Sequence, residues 1–370
     1  MARFAHISDT HIGAVQYGIP ERETDFYDAF SEAIDLAMEN EVEFIIHTGD
    51  LFDTGKPSNS ALSCLKDNMI KLQERKIPMI AIPGDHDRPR GSDSSPHSIF
   101  DFMGLKIIGA VELDNISVGD VTIAGIGNMK GFRKQQLNDI YGKANRMAEE
   151  WKKCIFMSHQ AVAPFFPEDQ CETTKEQLPV NFNYLAFGHI HQYRKEAVGR
   201  STFSYAGSTE VKSMNEISGL LRQGKGINIV TLDDSAEIER KQIRSARMQY
   251  EVRGSLDEIL SQLDRIQKGE IKKPLISIIV TEKVEAHTLK EKIDEYSDRF
   301  MFRNPIFNFS REEIPVVEYN PEHDLQSIFR EYMKDEKKGM IAHHIYKLLT
   351  SGEYREDEII ELASGGSDDN

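Results

Sequence analysis

Residues 3–13 read Arg3-Phe4-Ala5-His6-Ile7-Ser8-Asp9-Thr10-His11-Ile12-Gly13: a short apolar strand that runs directly into an Asp-x-His pair and a glycine. The same unit recurs at 44–50 (FIIHTGD), 79–85 (MIAIPGD), 154–160 (CIFMSHQ) and 184–189 (YLAFGH). Further apolar strands are expected at 106–109, 121–126, 202–206 and 227–232. Between several of them lie helical patterns. Residues 22–39 place Phe26, Phe30, Ile34 and Ala37-Met38 at spacings of three and four, the stripe of an amphipathic helix, and 134–153 behaves likewise. Such alternation predicts an α/β fold with a sheet sandwiched by helices, in which ligands sit at the carboxyl ends of strands.

The bulk properties bound the reading. At 370 residues the chain exceeds what one hydrophobic core usually covers, so two or three domains are expected. Hydrophobic and charged contents of 39% and 29% describe a soluble globular protein. No run approaches the roughly 18–20 apolar residues of a membrane span, and the N-terminus lacks the charged and apolar regions of a secretion signal. A cytoplasmic location is expected. Cys64, Cys154 and Cys171 form neither a disulfide framework nor a zinc spacing. The net charge of −16 excludes a protein that coats nucleic acid by bulk basicity. It does not exclude a site whose carboxylates hold cations.

Near residue 246 the pattern changes. Strand, helix (255–267), strand, helix (286–298) and strand follow as a small α+β module over 247–320. From 321 to 370 the chain becomes helical and acidic, with helices expected at 324–335, 338–350 and 355–363 and a Gly/Ser/Asp-rich end. So short a segment buries little by itself, which suits folding against a partner.

Five predicted strand ends carry metal-ligand chemistry: Asp9-Thr10-His11, Gly49-Asp50, Gly84-Asp85-His86-Asp87, Ser158-His159 and Gly188-His189-Ile190-His191. Mixed carboxylates and imidazoles suit manganese, iron or zinc, whereas magnesium and calcium prefer all-oxygen shells. In D-x-H and H-x-H on extended backbone the two side chains would share one side. Each block alone is common; five in series at strand ends point to a metal site.

The order D-x-H, G-D, G-D-H-D, H, G-H-x-H resembles the calcineurin-like metallophosphoesterases, a four-layer α/β/β/α sandwich. Within them, His6–Gly13, Gln16-Tyr17, Gly49–Phe52 with Lys56-Pro57-Ser58, and Phe187–His191 resemble the Mre-eleven family, the archaeal and eukaryotic repair nucleases related to bacterial SbcD. The resemblance covers about 240 residues strongly. It implies a nuclease domain (1–246), a DNA-capping domain (247–320) and a tail (321–370) that binds a Rad-fifty ATPase coiled coil. Transferred residue by residue, it gives two Mn²⁺. One is held by Asp9, His11, Asp50 and His191; the other by Asp50, Asp85, His159 and His189, with Asp50 bridging. His86 would donate to the phosphate or the leaving oxygen in the transition state, with Asp87 orienting its ring. The implied activity is 3′-to-5′ exonuclease and single-strand endonuclease in double-strand-break repair.

The chain departs from the family at three places. Asp85 stands where the third block usually has Asn, Asp53 where many relatives have His, and Gly18 where some carry a DNA-contacting side chain. His6, His47 and Tyr184 are read as structural, Phe165-Phe166 as packing, His343-His344 as solvated, and Lys56, Arg88 and Arg90 as phosphate contacts or surface charge. Helix 59–75 carries Leu62, Leu65, Met69 and Leu72 in a stripe, and Ile99-Phe100 with Phe102-Met103 add a patch. In the resembled family helices of this region pair two subunits, which implies a homodimer through both; a monomer with both patches facing its core would read the same from sequence. The competing readings are a phosphoesterase for small substrates and a scaffold of the same fold without chemistry. The extra module and tail disfavour the first, and the intact donor set disfavours the second.

Overall fold

The computed structural model describes residues 1–87, 96–269, 271–308 and 325–351. Arg88, Arg90, the stretch 309–324 and everything expected beyond 351, including helix 355–363, lie outside the described residues.

Two six-stranded mixed sheets face one another. The first runs in the order Ala236–Gln242, Gly226–Leu232, Ala2–Ile7, Phe44–His47, Met79–Ala81, Leu105–Ile107; the last four are mutually parallel. The second runs Arg194–Val198, Ser201–Tyr205, Tyr184–Gly188, Lys153–His159, Val121–Ile126, Asp114–Val118, with its four central strands parallel. Period-two alternation divides each central strand between two cores. Ala2, Phe4, Phe44, Ile46 and Ile80 pack between the sheets with Ile155, Met157 and Tyr184. Ala5, Ile7, Ile45 and Met79 turn the other way, onto helices Pro20–Glu39 and Asn59–Arg75. On the far side, Phe156, Leu185 and Phe187 pack with Leu137, Tyr141 and Ala144 of helix Leu137–Met147. The result is the four-layer α/β/β/α sandwich.

Three outer strands, Asp114–Val118, Arg194–Val198 and Ala236–Gln242, carry too many polar residues to stand out as apolar runs. Each is an edge strand in an antiparallel pair, so one face meets solvent and no continuous hydrophobic run is required. The stripe of Asn59–Arg75 is consumed at home: Leu65, Met69 and Leu72 are buried in the chain's own core. Of the second patch, Phe100 and Met103 are buried, while Ile99 and Phe102 are 63% and 78% exposed. The three cysteines are free.

Residues 249–307 form a separate parallel sheet, with Leu275–Val280 central and helices Leu256–Arg265 and Ala286–Asp294 beside it. A buried charge knot ties it to the sandwich. Asp25 accepts from Arg22 Nη1 at 2.5 Å and from Arg247 Nε and Nη2 at 2.5 and 2.9 Å, and Lys272 Nζ lies 2.8 Å away. Arg22 also reaches Glu210 at 3.1 Å. By compactness the chain divides into Met1–Asn308 and Phe309–Asn370. Within the second unit, helices Leu325–Met333 and Glu336–Ser351 pack through Phe329 against Tyr346 and His343. Among the described residues no helix is long and apolar enough to cross a membrane.

Candidate metal centre

The strand ends of both sheets meet. Strand Ala2–Ile7 stops two residues before Asp9, and Asp9, His11, Asp50 and His189 all have positive φ, at 50°, 44°, 54° and 86°. Left-handed backbone is uncommon outside glycine and costs on the order of 1–3 kcal/mol where it is enforced. Here it is enforced by stitching: Asp9 N–H donates to the Gly49 carbonyl, His11 N–H to the Asp50 carbonyl, and His189 N–H to the Asp9 carboxylate, each at 3.0 Å. The D-x-H and H-x-H pairs therefore do not lie on extended backbone. Tight turns just beyond the strands, rather than the two-residue strand period, bring their side chains together. The glycines are required by crowding. A Cβ at Gly84 would fall 2.0 Å from Asp50 Oδ1, and one at Gly188 would fall 2.1 Å from the Thr48 carbonyl.

All seven candidate ligands converge. Donor atoms of Asp9, His11 and His191 lie within 4.8 Å of one another, as do those of Asp85, His159 and His189. Asp50 stands between the two groups, with Oδ2 at 3.7 Å from His11 Nε2 and 3.5 Å from His159 Nε2. Asp85 Oδ1 is 3.2 Å from both His159 Nε2 and His189 Nδ1.

The imidazoles are pre-set as ligands. His159 Nδ1 donates to the Thr48 carbonyl at 2.7 Å, and His191 Nδ1 donates to the Glu216 carboxylate at 2.8 Å. His11 Nδ1 faces Asp53 Oδ1 at 3.3 Å. With Nδ1 as the donor, the rings of His159 and His191 turn Nε2 inward. His11 Nε2 and His191 Nε2 then lie 3.1 Å apart, and His159 Nε2 faces two carboxylates. Lone pairs and carboxylates so arranged require a proton or a cation between them, and the mixed nitrogen and oxygen donors fit a transition metal. Burial pushes the His159 ring towards neutrality, but Asp50 and Asp85 overcome it and hold its pKa well above the ordinary value. Burial likewise acts against ionisation of Asp50, but the facing His159 and His11 hold its carboxyl below the usual range.

The open side of the site is lined by His86 at 38%, His189 at 23% and His191 and Asp85 at 19% side-chain exposure. His86 Nδ1 donates to the Asp53 backbone carbonyl at 2.7 Å. Asp87, expected to orient that ring, is directed elsewhere. Its buried carboxylate accepts from the backbone N–H groups of Gly84, Phe52 and Leu51 at 2.8, 3.0 and 3.3 Å, tying two site loops together.

Several neighbours have no local signature in the sequence. Glu216, held by Lys225 Nζ at 2.6 Å, anchors His191 from 25 residues away. Lys130 Nζ lies 2.6 Å from Asp85 Oδ2, and Lys212 Nζ 2.7 Å from Asp53 Oδ1. His6 and His47 are buried. Tyr184 Oη and Thr48 Oγ1 hold His6 at 2.8 and 3.0 Å, and burial, then Arg240, lowers its pKa to about 3.

A family model for calcineurin-like phosphoesterases matches residues 2–193. The chain is 42% identical over 347 residues to the DNA double-strand break repair protein Mre11 of Thermoplasma acidophilum, covering 91% of each sequence. It is 29% identical over 377 residues to the protein of the same name from Methanococcus maripaludis, covering 97% of each. With that of Sulfurisphaera tokodaii it shares 32% over 302 residues, covering 79% of this chain and 77% of the relative. The chain belongs to the calcineurin-like phosphoesterases, which act with divalent metal ions, and within them to the family of the DNA double-strand break repair protein Mre11.

Proposed function

We propose that this chain is a manganese-dependent DNA nuclease that degrades duplex ends 3′ to 5′ and cuts single strands during double-strand-break repair. The observation that carries the reading is the convergence of seven donor residues, with Asp50 between the two groups and His86 on the open side. Asp9, His11, Asp50 and His191 would hold one ion; Asp50, Asp85, His159 and His189 the other. Two such ions supply a hydroxide-like nucleophile at neutral pH and neutralise phosphoryl charge.

The protein's own groups do the rest. Thr48 and Glu216 fix the ring orientation of His159 and His191, so the ligands need not reorganise. The Asp53 carbonyl fixes Nδ1 of His86, which leaves Nε2 beside Lys212 Nζ on a side chain that is part-exposed at the open side of the site. In its protonated form that nitrogen can donate to the leaving oxygen. Asp87 acts on the loops: by gathering Gly84, Leu51 and Phe52 it sets the positions from which Asp50 and Asp85 project.

The module beyond residue 246 is assigned as the capping domain. The tail helices are assigned to a Rad-fifty-type ATPase. Leu325, Ile328, Tyr332 and Met340, all exposed, supply the apolar surface such a partner needs. A homodimer would use Ile70, Ile99 and Phe102, the apolar side chains that this region leaves exposed.

The deciding experiment compares end-labelled duplex DNA with bis(p-nitrophenyl) phosphate as substrates, with manganese and with chelator. Metal-dependent removal of nucleotides from the 3′ end is expected. Turnover of the small diester with no cleavage of either duplex or single-stranded DNA would favour a small-substrate phosphoesterase instead.

A further inference from the structure

Four clusters of histidine and carboxylate at this site could each hold a cation, and one of them is His11, Asp53 and His86. An ammonium of the protein already sits in it. Lys212 Nζ is 2.7 Å from Asp53 Oδ1, 3.0 Å from His11 Nδ1, and 3.3 and 3.4 Å from the two nitrogens of His86. Among the described residues the basic side chains that face Asp9 and Asp50 are imidazoles, whereas Lys130 Nζ lies 2.6 Å from Asp85 Oδ2 on the far side of the site.

Lys212 is held at both ends. Its backbone N–H donates to Glu216 Oε1 at 3.2 Å, the oxygen that also orients His191. Its head is drawn to Asp53. An ammonium has three protons, and the side chain is 24% exposed beside the 38% exposed His86, so donor capacity faces the mouth of the site. A lysine tethered at the rim of a phosphoester site, next to the group placed to protonate the leaving oxygen, is positioned for one ligand chemistry: the anionic oxygens of a phosphodiester.

We propose that Lys212 is a substrate-binding residue that contacts a backbone phosphate of the bound strand, with Asp53 holding its ammonium beside His86. This rests on the phosphodiesterase reading above. The test uses the full-length chain as wild type, Lys212→Met and Lys212→Arg. Binding of a fluorescein-labelled duplex is titrated at several salt concentrations, with calcium replacing manganese to suppress turnover. Losing one phosphate contact should weaken binding about tenfold. It should also reduce the slope of log affinity against log salt by about 0.9. Lys212→Arg should keep the wild-type slope, and manganese stoichiometry by calorimetry should stay the same in all three proteins.

Steady-state hydrolysis of bis(p-nitrophenyl) phosphate provides the independent arm: Lys212→Met should raise KM, and Lys212→Arg should restore it. If wild type neither binds nor cuts DNA, the nuclease reading falls and the KM comparison alone decides Lys212. An unchanged KM overturns the proposal. So does an unchanged salt slope where wild type binds DNA, or a loss of bound manganese in Lys212→Met, which would make the residue a support for the ligands only.

Discussion

Two clusters of buried charge among the described residues are balanced by different kinds of cation. In the knot beneath the module of residues 249–307, Asp25 and Glu210 face Arg22, Arg247 and Lys272, whose charges are permanent at any physiological pH. At the centre, Asp9 and Asp50 face imidazoles, whose positive charge is a proton that can leave. The first arrangement is closed; the second can exchange its protons for metal. One segment touches both. Glu210 joins the knot, Lys212 reaches Asp53, and Glu216 orients His191, so residues 210–216 couple the junction of the module of residues 249–307 to the site.

If the comparison is right, the same chemical change has opposite consequences in the two clusters. The largest effect should come from Asp50→Asn. Removing the carboxylate shared by both ligand groups should lower activity on the order of 10³-fold or more and leave at most one bound manganese by calorimetry. Two ions with wild-type turnover in this variant would break the comparison at its base.

Asp25→Asn should act on folding. It strands three cations beside a neutral amide, and breaking such buried pairs typically costs about 3–5 kcal/mol, measurable by chemical denaturation. Burial alone would raise the Asp25 pKa, but Arg247 and Arg22 hold it below the ordinary value. Its contribution to stability is therefore complete above the unfolded pKa of about 3.9 and is lost as pH falls below that. The gap between variant and wild type should close at acid pH. A gap that stayed constant would count against the ion-pair account.

Glu216→Gln is smaller. The amide can no longer draw the His191 Nδ1 proton as a carboxylate does, and such outer contacts typically tune metal affinity about 10- to 100-fold. Weaker manganese binding at one of the two proposed metal sites is expected; uniform weakening of both would point to a general loss of structure.

The smallest effect is also the most direct contrast. Metal binding must displace the proton that Asp50 and Asp85 hold on His159. Apparent manganese affinity should thus rise as pH rises through neutrality, by about tenfold per unit for each proton displaced. Calorimetry in buffers of different ionisation enthalpy would register that proton. Binding without proton release would erase the distinction between exchangeable and permanent cations.

Much of the fold was readable because its central strands are parallel and buried on both faces, which forces the apolar runs around Phe4, Ile45, Ile80, Ile155 and Leu185. Edge strands such as Arg194–Val198 stayed hidden because one solvent-facing side releases the sequence from that demand. The stripe Leu65, Met69 and Leu72 showed a second limit. Periodicity reports that a helix face is buried, and only packing shows that it is buried against the chain's own sheet.

At the site, the sequence by itself determined the donor types, because metal chemistry tolerates few substitutes and the donors sit in short blocks such as Asp9-Thr10-His11 and Gly188-His189-Ile190-His191. Tertiary structure alone decided which atoms those donors face. The Thr48 carbonyl behind His159, the Asp53 carbonyl beneath His86, Glu216 behind His191 and Lys212 beside Asp53 join residues far apart in the chain. Two of these contacts use backbone oxygens, which every residue has. The other two use ordinary surface residue types, so orientation and charge balance leave no local mark and arise only when the strand ends of the two sheets meet.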